Sequence, residues 1–221
     1  MFIKEKLDQL IKSLPPKVQL VAVSKTKPLS DIQEAYDAGQ RIFGENKIQE
    51  MLNKYQELPK DIQWHMIGHL QTNKIKHMAH FVAMVHGVDS LKKLIEIDKQ
   101  AKKHDRVIRC LLQVKIAQED SKFGLNEKEV IEILQSKEIN NLKNIKIAGL
   151  MGMATFTSDE EQLNDEFRSL NSFFNQLNSS LMLDLNTLSM GMSGDYEIAI
   201  KNGSNMIRVG SAIFGVRNYL A

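Results

Sequence analysis

The segment Val23-Ser24-Lys25-Thr26-Lys27-Pro28 places two lysines directly behind an apolar run, Val18 to Val23. If that run is a strand, Val21, Val23, Lys25 and Lys27 share one face, and Ala22, Ser24 and Thr26 share the other. A lysine continuing the apolar face of a core strand is partly desolvated, which lowers its pKa and raises the fraction of neutral amine. Neutral amine condenses with a carbonyl, so Lys25 is a candidate Schiff-base residue. A pair of solvated loop cations is the plain alternative. A second constellation lies near the end of the chain. In Leu188-Ser189-Met190-Gly191-Met192-Ser193-Gly194-Asp195 the residues Ser189, Gly191 and Ser193 alternate onto one face. Ser193 and Gly194 stand where a helix is expected to begin, and free N–H groups there favour an anion. In Ile207-Arg208-Val209-Gly210-Ser211 the glycine and serine offer N–H donors and a hydroxyl to a phosphate. Arg208 shares a face with Gly210, and an inward arginine needs an anion or a set of acceptors.

These residues need a scaffold that brings strand ends together. Apolar runs recur as eight strand candidates: Val18–Val23, Arg41–Gly44, Gln63–Gly68, Phe81–Val88, Val107–Val114, Lys146–Met151, Thr187–Met190 and Met206–Val209. Helical patterns precede the first, over 2–14, and follow in between: from a cap at Ser30 or Asp31 to Ala38, then near 46–57, 71–79, 90–103, 127–136, 159–178 and 195–201. Strands alternating with helices predict a parallel sheet. Eight units in 221 residues fit a single TIM-like (β/α)₈ barrel with an extra N-terminal helix, occupying residues 1–221 as one domain. An open doubly wound sheet would carry a Gly-rich turn after the first strand, and none is present. In such a barrel chemistry sits at the carboxyl ends of the strands, with phosphate near strands seven and eight. Lys25 and the Ser193/Gly210/Ser211 group fall at those positions.

Composition narrows the function classes. Lys plus Arg is 29 against 27 Asp plus Glu, and this near-balance argues against a nucleic-acid binder. No apolar stretch approaches the ~20 residues of a membrane span, and the N-terminus does not read as a signal peptide. Cys110 sits alone in an apolar run, so no internal disulfide exists, and the expected address is the cytoplasm. Its expected role is that of a small buried hydrophobe. His65 and His69 share a strand face but lack a third ligand and a zinc spacing, so no metal site is expected. His77 and His80 read as solvated, and most of the 11 methionines as core.

Taken in order, these segments resemble the YggS/PROSC family of pyridoxal-phosphate homeostasis proteins. The likeness runs through Val21 to Pro28, Phe43-Gly44-Glu45-Asn46-Lys47-Ile48-Gln49-Glu50, Trp64 to Lys74, Gly149 to Met153, Leu188 to Ser193 and Ile207 to Gly215. The resemblance implies an alanine-racemase-type barrel without the second, β-rich domain, and pyridoxal 5′-phosphate as cofactor. It also implies Lys25 as the Schiff-base lysine, and Ser193, Gly210 and Ser211 as phosphate ligands. Arg208 would face the pyridine nitrogen, with Ser189 and Asn46 as pocket walls. Family members often carry threonine at position 211; serine keeps the hydroxyl. Lys27 and Lys122 are secondary candidates for passing on the aldehyde.

Two functions follow: a non-catalytic cofactor carrier, or a racemase-type enzyme. An arginine at the pyridine nitrogen disfavours ring protonation and weakens the electron sink. Racemisation also needs acid/base groups on both faces of the substrate carbon. Tyr36, Tyr55, Tyr196 and Tyr219 fall on helical patterns or at the terminus, none at a strand end. The expectation is therefore a monomeric carrier, in transient contact with apo-enzymes that use the cofactor. Without the resemblance, an aldolase-type Schiff-base barrel is the reading of choice.

Overall fold

In the computed structural model, which describes residues 2–118 and 123–215, eight parallel strands close into a barrel in sequence order. They are β1 (Gln19–Val23), β2 (Ile42–Glu45), β3 (Gln63–Met66), β4 (Met84–Val88), β5 (Ile108–Lys115), β6 (Ile145–Met153), β7 (Thr187–Ser189) and β8 (Met206–Val209). Closure is made by β1 against β8, with Val21 opposite Arg208. Around them lie α1 (Ile3–Ser13), α2 (Leu29–Asp37), α3 (Ile48–Glu57), α4 (Leu91–Lys102), α5 (Glu127–Gln135), α6 (Glu160–Ser180), α7 (Tyr196–Lys201) and α8 (Ser211–Phe214). The expected eight-stranded barrel is thus the observed one, and α1 is the extra N-terminal helix, burying Leu7 and Leu10.

Strand alternation divides the core in two. Val21, Met84, Leu111, Ala148, Met151 and Met206 point inward and fill the barrel floor. Their neighbours along each strand, such as Ala22, Phe43, Trp64, Val85 and Cys110, point outward against the helices. Gly149 allows β6 to approach β7 closely: a Cβ there would lie 1.7 Å from Thr187 O. The longest helix, α6, starts where Asp159 accepts hydrogen bonds from the N–H groups of Glu161 and Gln162.

Several boundaries differ from expectation, three of them instructively. Residues 72–77 form a 3-10 segment instead of a helix over 71–79. Ile75 is its one buried residue. Helix α2 begins at Leu29 with Pro28 in the cap position, so Ser30 and Asp31 lie in its first turn and do not cap it. Finally, β4 begins at Met84; Phe81 and Val82 belong to the preceding turn, where their N–H groups donate to Met78 O.

Candidate functional site

The carboxyl ends of the strands surround a cavity of about 800 Å³, a size suited to a small ligand with room beside it. Lys25, Asn46, Ser193, Arg208, Gly210 and Ser211 all line it. They come from β1, β2, β7 and β8 or the turns just after them. Lys27 is also on the wall, its Nζ donating to Phe214 O (2.8 Å) and Gly215 O (3.2 Å). Lys122 and Tyr219 lie outside the described residues. Among the described residues no tyrosine lines the cavity.

The end near β7 and β8 is built from hydroxyl and N–H groups. Gly210 N–H donates to Ser193 Oγ (3.2 Å), which holds the two turns together. Ser211 opens α8, whose first backbone bonds run from Ile213 and Phe214 to Gly210 O, ahead of which the Ser211 N–H stands. Ser193 and Gly194 lie in the turn that leads into α7, two or three residues ahead of its first residue, Tyr196.

Arg208 is buried in the cavity floor. Its guanidinium donates to Ser189 O (2.9 Å), Ser189 Oγ (2.7 Å) and Gly152 O (2.9 Å). Burial lowers its pKa to about 10, so it remains a cation at neutral pH. Ser189 does not line the cavity: it is fully buried beneath the guanidinium, and its role as a pocket wall is corrected to that of a support for Arg208.

Behind Ser189 stands a chain that the sequence did not reveal. His86 Nδ1 is 3.1 Å from Ser189 Oγ, and His86 Nε2 is 3.0 Å from His65 Nδ1. Ser189 Oγ accepts from Arg208, and the two ring contacts carry the chain on through His86 to His65. Both rings are neutral. Burial pushes His65 down to about 3 and His86 well below its ordinary range, with Arg208 and the other histidine adding to the effect on His86. The positive charge of the floor is on Arg208. His69, which the sequence paired with His65, sits at the mouth 3.8 Å from Asp89, near Phe123. Among the described residues no cluster of three or more metal-ligating side chains exists. Cys110 is buried, and burial raises its thiol pKa.

The far wall, toward β3, β5 and β6, also escaped the sequence reading. It is made by Gly68, Gln113, Phe123 and Thr155-Phe156-Thr157. Gln113 donates to Phe123 O (2.7 Å), and buried Glu166 accepts from Thr155 N–H and Oγ1 (both 2.7 Å), fixing the loop that presents Phe156 to solvent.

Residues 2–218 match the family described as alanine racemase, N-terminal domain. A pyridoxal phosphate homeostasis protein from Synechocystis sp. is 39% identical over 219 residues, spanning 98% of this chain and 100% of that protein. The chain belongs to the pyridoxal phosphate homeostasis protein family. Its namesake in Vibrio alginolyticus is 41% identical over 93% of this chain and 89% of that protein. The structure of PipY from Synechococcus elongatus PCC7942 with PLP bound superposes with a TM-score of 0.88 at 36% identity, covering 96% of this chain and 100% of that one. Alanine racemase of Clostridium difficile shares the fold, at a TM-score of 0.81 and 14% identity, over 99% of this chain and 57% of that one.

Proposed function

We propose that this protein binds pyridoxal 5′-phosphate (PLP) in the barrel mouth and serves cofactor homeostasis, with Lys25 as the attachment point. The observation that carries this reading is the arrangement of one cavity: Lys25 and Arg208 share its wall with the hydroxyl and N–H groups of Ser193, Gly210 and Ser211. That set fits the cofactor's parts, an aldehyde for an amine, a ring nitrogen for a hydrogen-bond donor and a phosphate for short hydroxyl-bearing turns. PLP supplies an aldehyde, which joins a neutral amine as water leaves, and a ring that can draw electrons from the carbon beyond. Lys25 provides the amine, and Asn46 flanks it from β2. Arg208, a fixed cation braced by three acceptors, offers the ring nitrogen a donor and disfavours a proton there. Ser193, Gly210 and Ser211 receive the phosphate.

A carrier role is supported over an enzymatic one by the same geometry. Arg208 weakens the ring as an electron sink, and among the described residues no tyrosine reaches the cavity to act opposite Lys25. The protein is read as a single-domain, monomeric, cytoplasmic carrier that meets apo-enzymes transiently. Among the described residues no helix is long and apolar enough to cross a membrane. Steady turnover of D- or L-alanine by the PLP-loaded protein would refute the carrier reading. An absorbance band from the bound imine, lost in Lys25→Ala, supports the attachment; its retention in that variant would remove Lys25 from the role.

A further inference from the structure

Lys25 sits in a sharp turn between β1 and α2. Ser24 N–H donates to Gly44 O (3.1 Å), Lys27 N–H donates to Ser24 O (3.0 Å), and Thr26 takes φ +65°, a region that residues with a side chain rarely adopt. This turn is gripped from outside the barrel by α3. Lys54 Nζ donates to Ser24 O (2.8 Å), Glu45 Oε1 (2.8 Å) and Glu50 Oε1 (2.7 Å). Glu50 Oε1 also accepts from Thr26 N–H (2.6 Å), and Ser24 Oγ donates to Glu45 Oε1 (2.6 Å). The peptide groups on either side of the Lys25 Cα, through Ser24 C=O and Thr26 N–H, are therefore both bonded to one ion cluster. Both backbone dihedrals of Lys25 are constrained by it, and with them the direction in which its Cα–Cβ bond leaves the chain.

None of Glu45, Glu50 or Lys54 lines the cavity, so the cluster does not touch the ligand. Nor is stability a sufficient account of it. Lys54 and Glu45 are buried, and a well-packed apolar pair in their place would avoid the desolvation of two charges. What the charges supply is geometry at Lys25.

We propose that Lys54, acting with Glu50, is a positioning residue for cofactor attachment: by fixing both peptide planes beside Lys25 it holds the amine where the PLP aldehyde arrives. The inference rests on the reading of Lys25 as the attachment point. An amine held in a near-attack position reacts far faster than one spread over several orientations, whereas the phosphate and ring contacts are independent of it.

The test compares PLP with pyridoxine 5′-phosphate, which keeps the phosphate and ring but has no aldehyde. In Lys54→Met and Glu50→Ala, imine formation with PLP should slow by about tenfold or more, while affinity for pyridoxine 5′-phosphate stays at the parent value. Glu50→Gln keeps an acceptor for Thr26 N–H and should restore most of the rate. Unchanged imine formation in Lys54→Met would overturn the proposal. So would equal weakening of both ligands, which marks a merely structural role. Glu50, partly exposed, provides the same readout if Lys54→Met does not fold. A Lys25→Ala variant run alongside separates the two levels. If it still forms an imine, the attachment reading fails; if it does not, any change in rate belongs to Lys54 and Glu50 alone.

Discussion

Replacing Glu45 with glutamine should make the protein lose stability faster on acidification from pH 7 to pH 5. Glu45 is fully buried; Oε1 accepts from Ser24 and Lys54, and among the described residues Oε2 has no hydrogen-bond partner. Burial pushes its carboxyl from 4.5 up to about 7 despite the opposing pull of Lys54. A raised value in the fold means that the native state holds the proton more tightly than the unfolded chain. The associated stability is complete below pH 4.5 and is lost as the pH rises through 7, so it grows by about 2 kcal/mol on going from pH 7 to pH 5. His65 and His86 act in the opposite sense. The fold holds both neutral, while the unfolded chain takes up their protons near 6.5, so the stability they represent is present above 6.5 and falls with pH. Each loses about 2 kcal/mol over the same window, a figure set by the unfolded value because the folded ones lie well below it. Glu45 therefore offsets about one of the two histidines. Urea unfolding at pH 7, 6 and 5 measures this directly. Relative to the parent, Glu45→Gln should lose about 2 kcal/mol more across the window, the contributions of all other groups cancelling in the difference. Parallel pH profiles would mean that Glu45 stays ionised beside Lys54 throughout, and the reasoning about its burial would be wrong.

Two further changes probe the cavity from behind. Gly68→Ala would set a Cβ 2.3 Å from Asn46 O and 2.7 Å from its Cα, so the backbone of Asn46 must move. A loss of about 1–3 kcal/mol by thermal or urea unfolding is expected, together with weaker PLP binding; unaltered binding would remove Asn46 from the site. Ser189→Ala takes away the hydroxyl that joins Arg208 to His86, at an expected cost of about 1–3 kcal/mol by urea unfolding. With one brace gone from Arg208, the affinity for pyridoxine 5′-phosphate should fall as well, and an unchanged affinity would separate Arg208 from the ring.

The barrel was legible because buried parallel strands read as apolar runs, and because turn residues punctuate them at regular intervals. That Ser193, Gly210 and Ser211 line one cavity was legible too, since they are adjacent to strands whose order in the barrel follows from their order in the chain. What escaped are contacts that exist only across strands. His86 lies inside the run Met84 to Val88 and reads as part of a core strand. Only the β3–β4 register, with His65 opposite Met84, brings it to His65 and Ser189. Ser189 was placed on the correct face by alternation, but alternation does not say how deep a residue lies, and Arg208 covers it. Lys54 did leave a signal: it continues the buried face of α3 formed by Ile48 and Met51, where a lysine requires a buried acceptor. Its partners became identifiable only once β1, β2 and α3 stood side by side. The segment over 72–77 shows the opposite error: a stretch read as a helix forms a 3-10 segment whose one buried residue is Ile75.

The central claim is that PLP is held on Lys25. Borohydride reduction of the PLP-loaded protein, followed by peptide mass spectrometry, tests it most directly. A single reduced adduct on the peptide containing Lys25, absent in Lys25→Ala, is the expected result. An adduct on Lys27 or any other lysine with Lys25 unmodified, or none at all under saturating PLP, would contradict it.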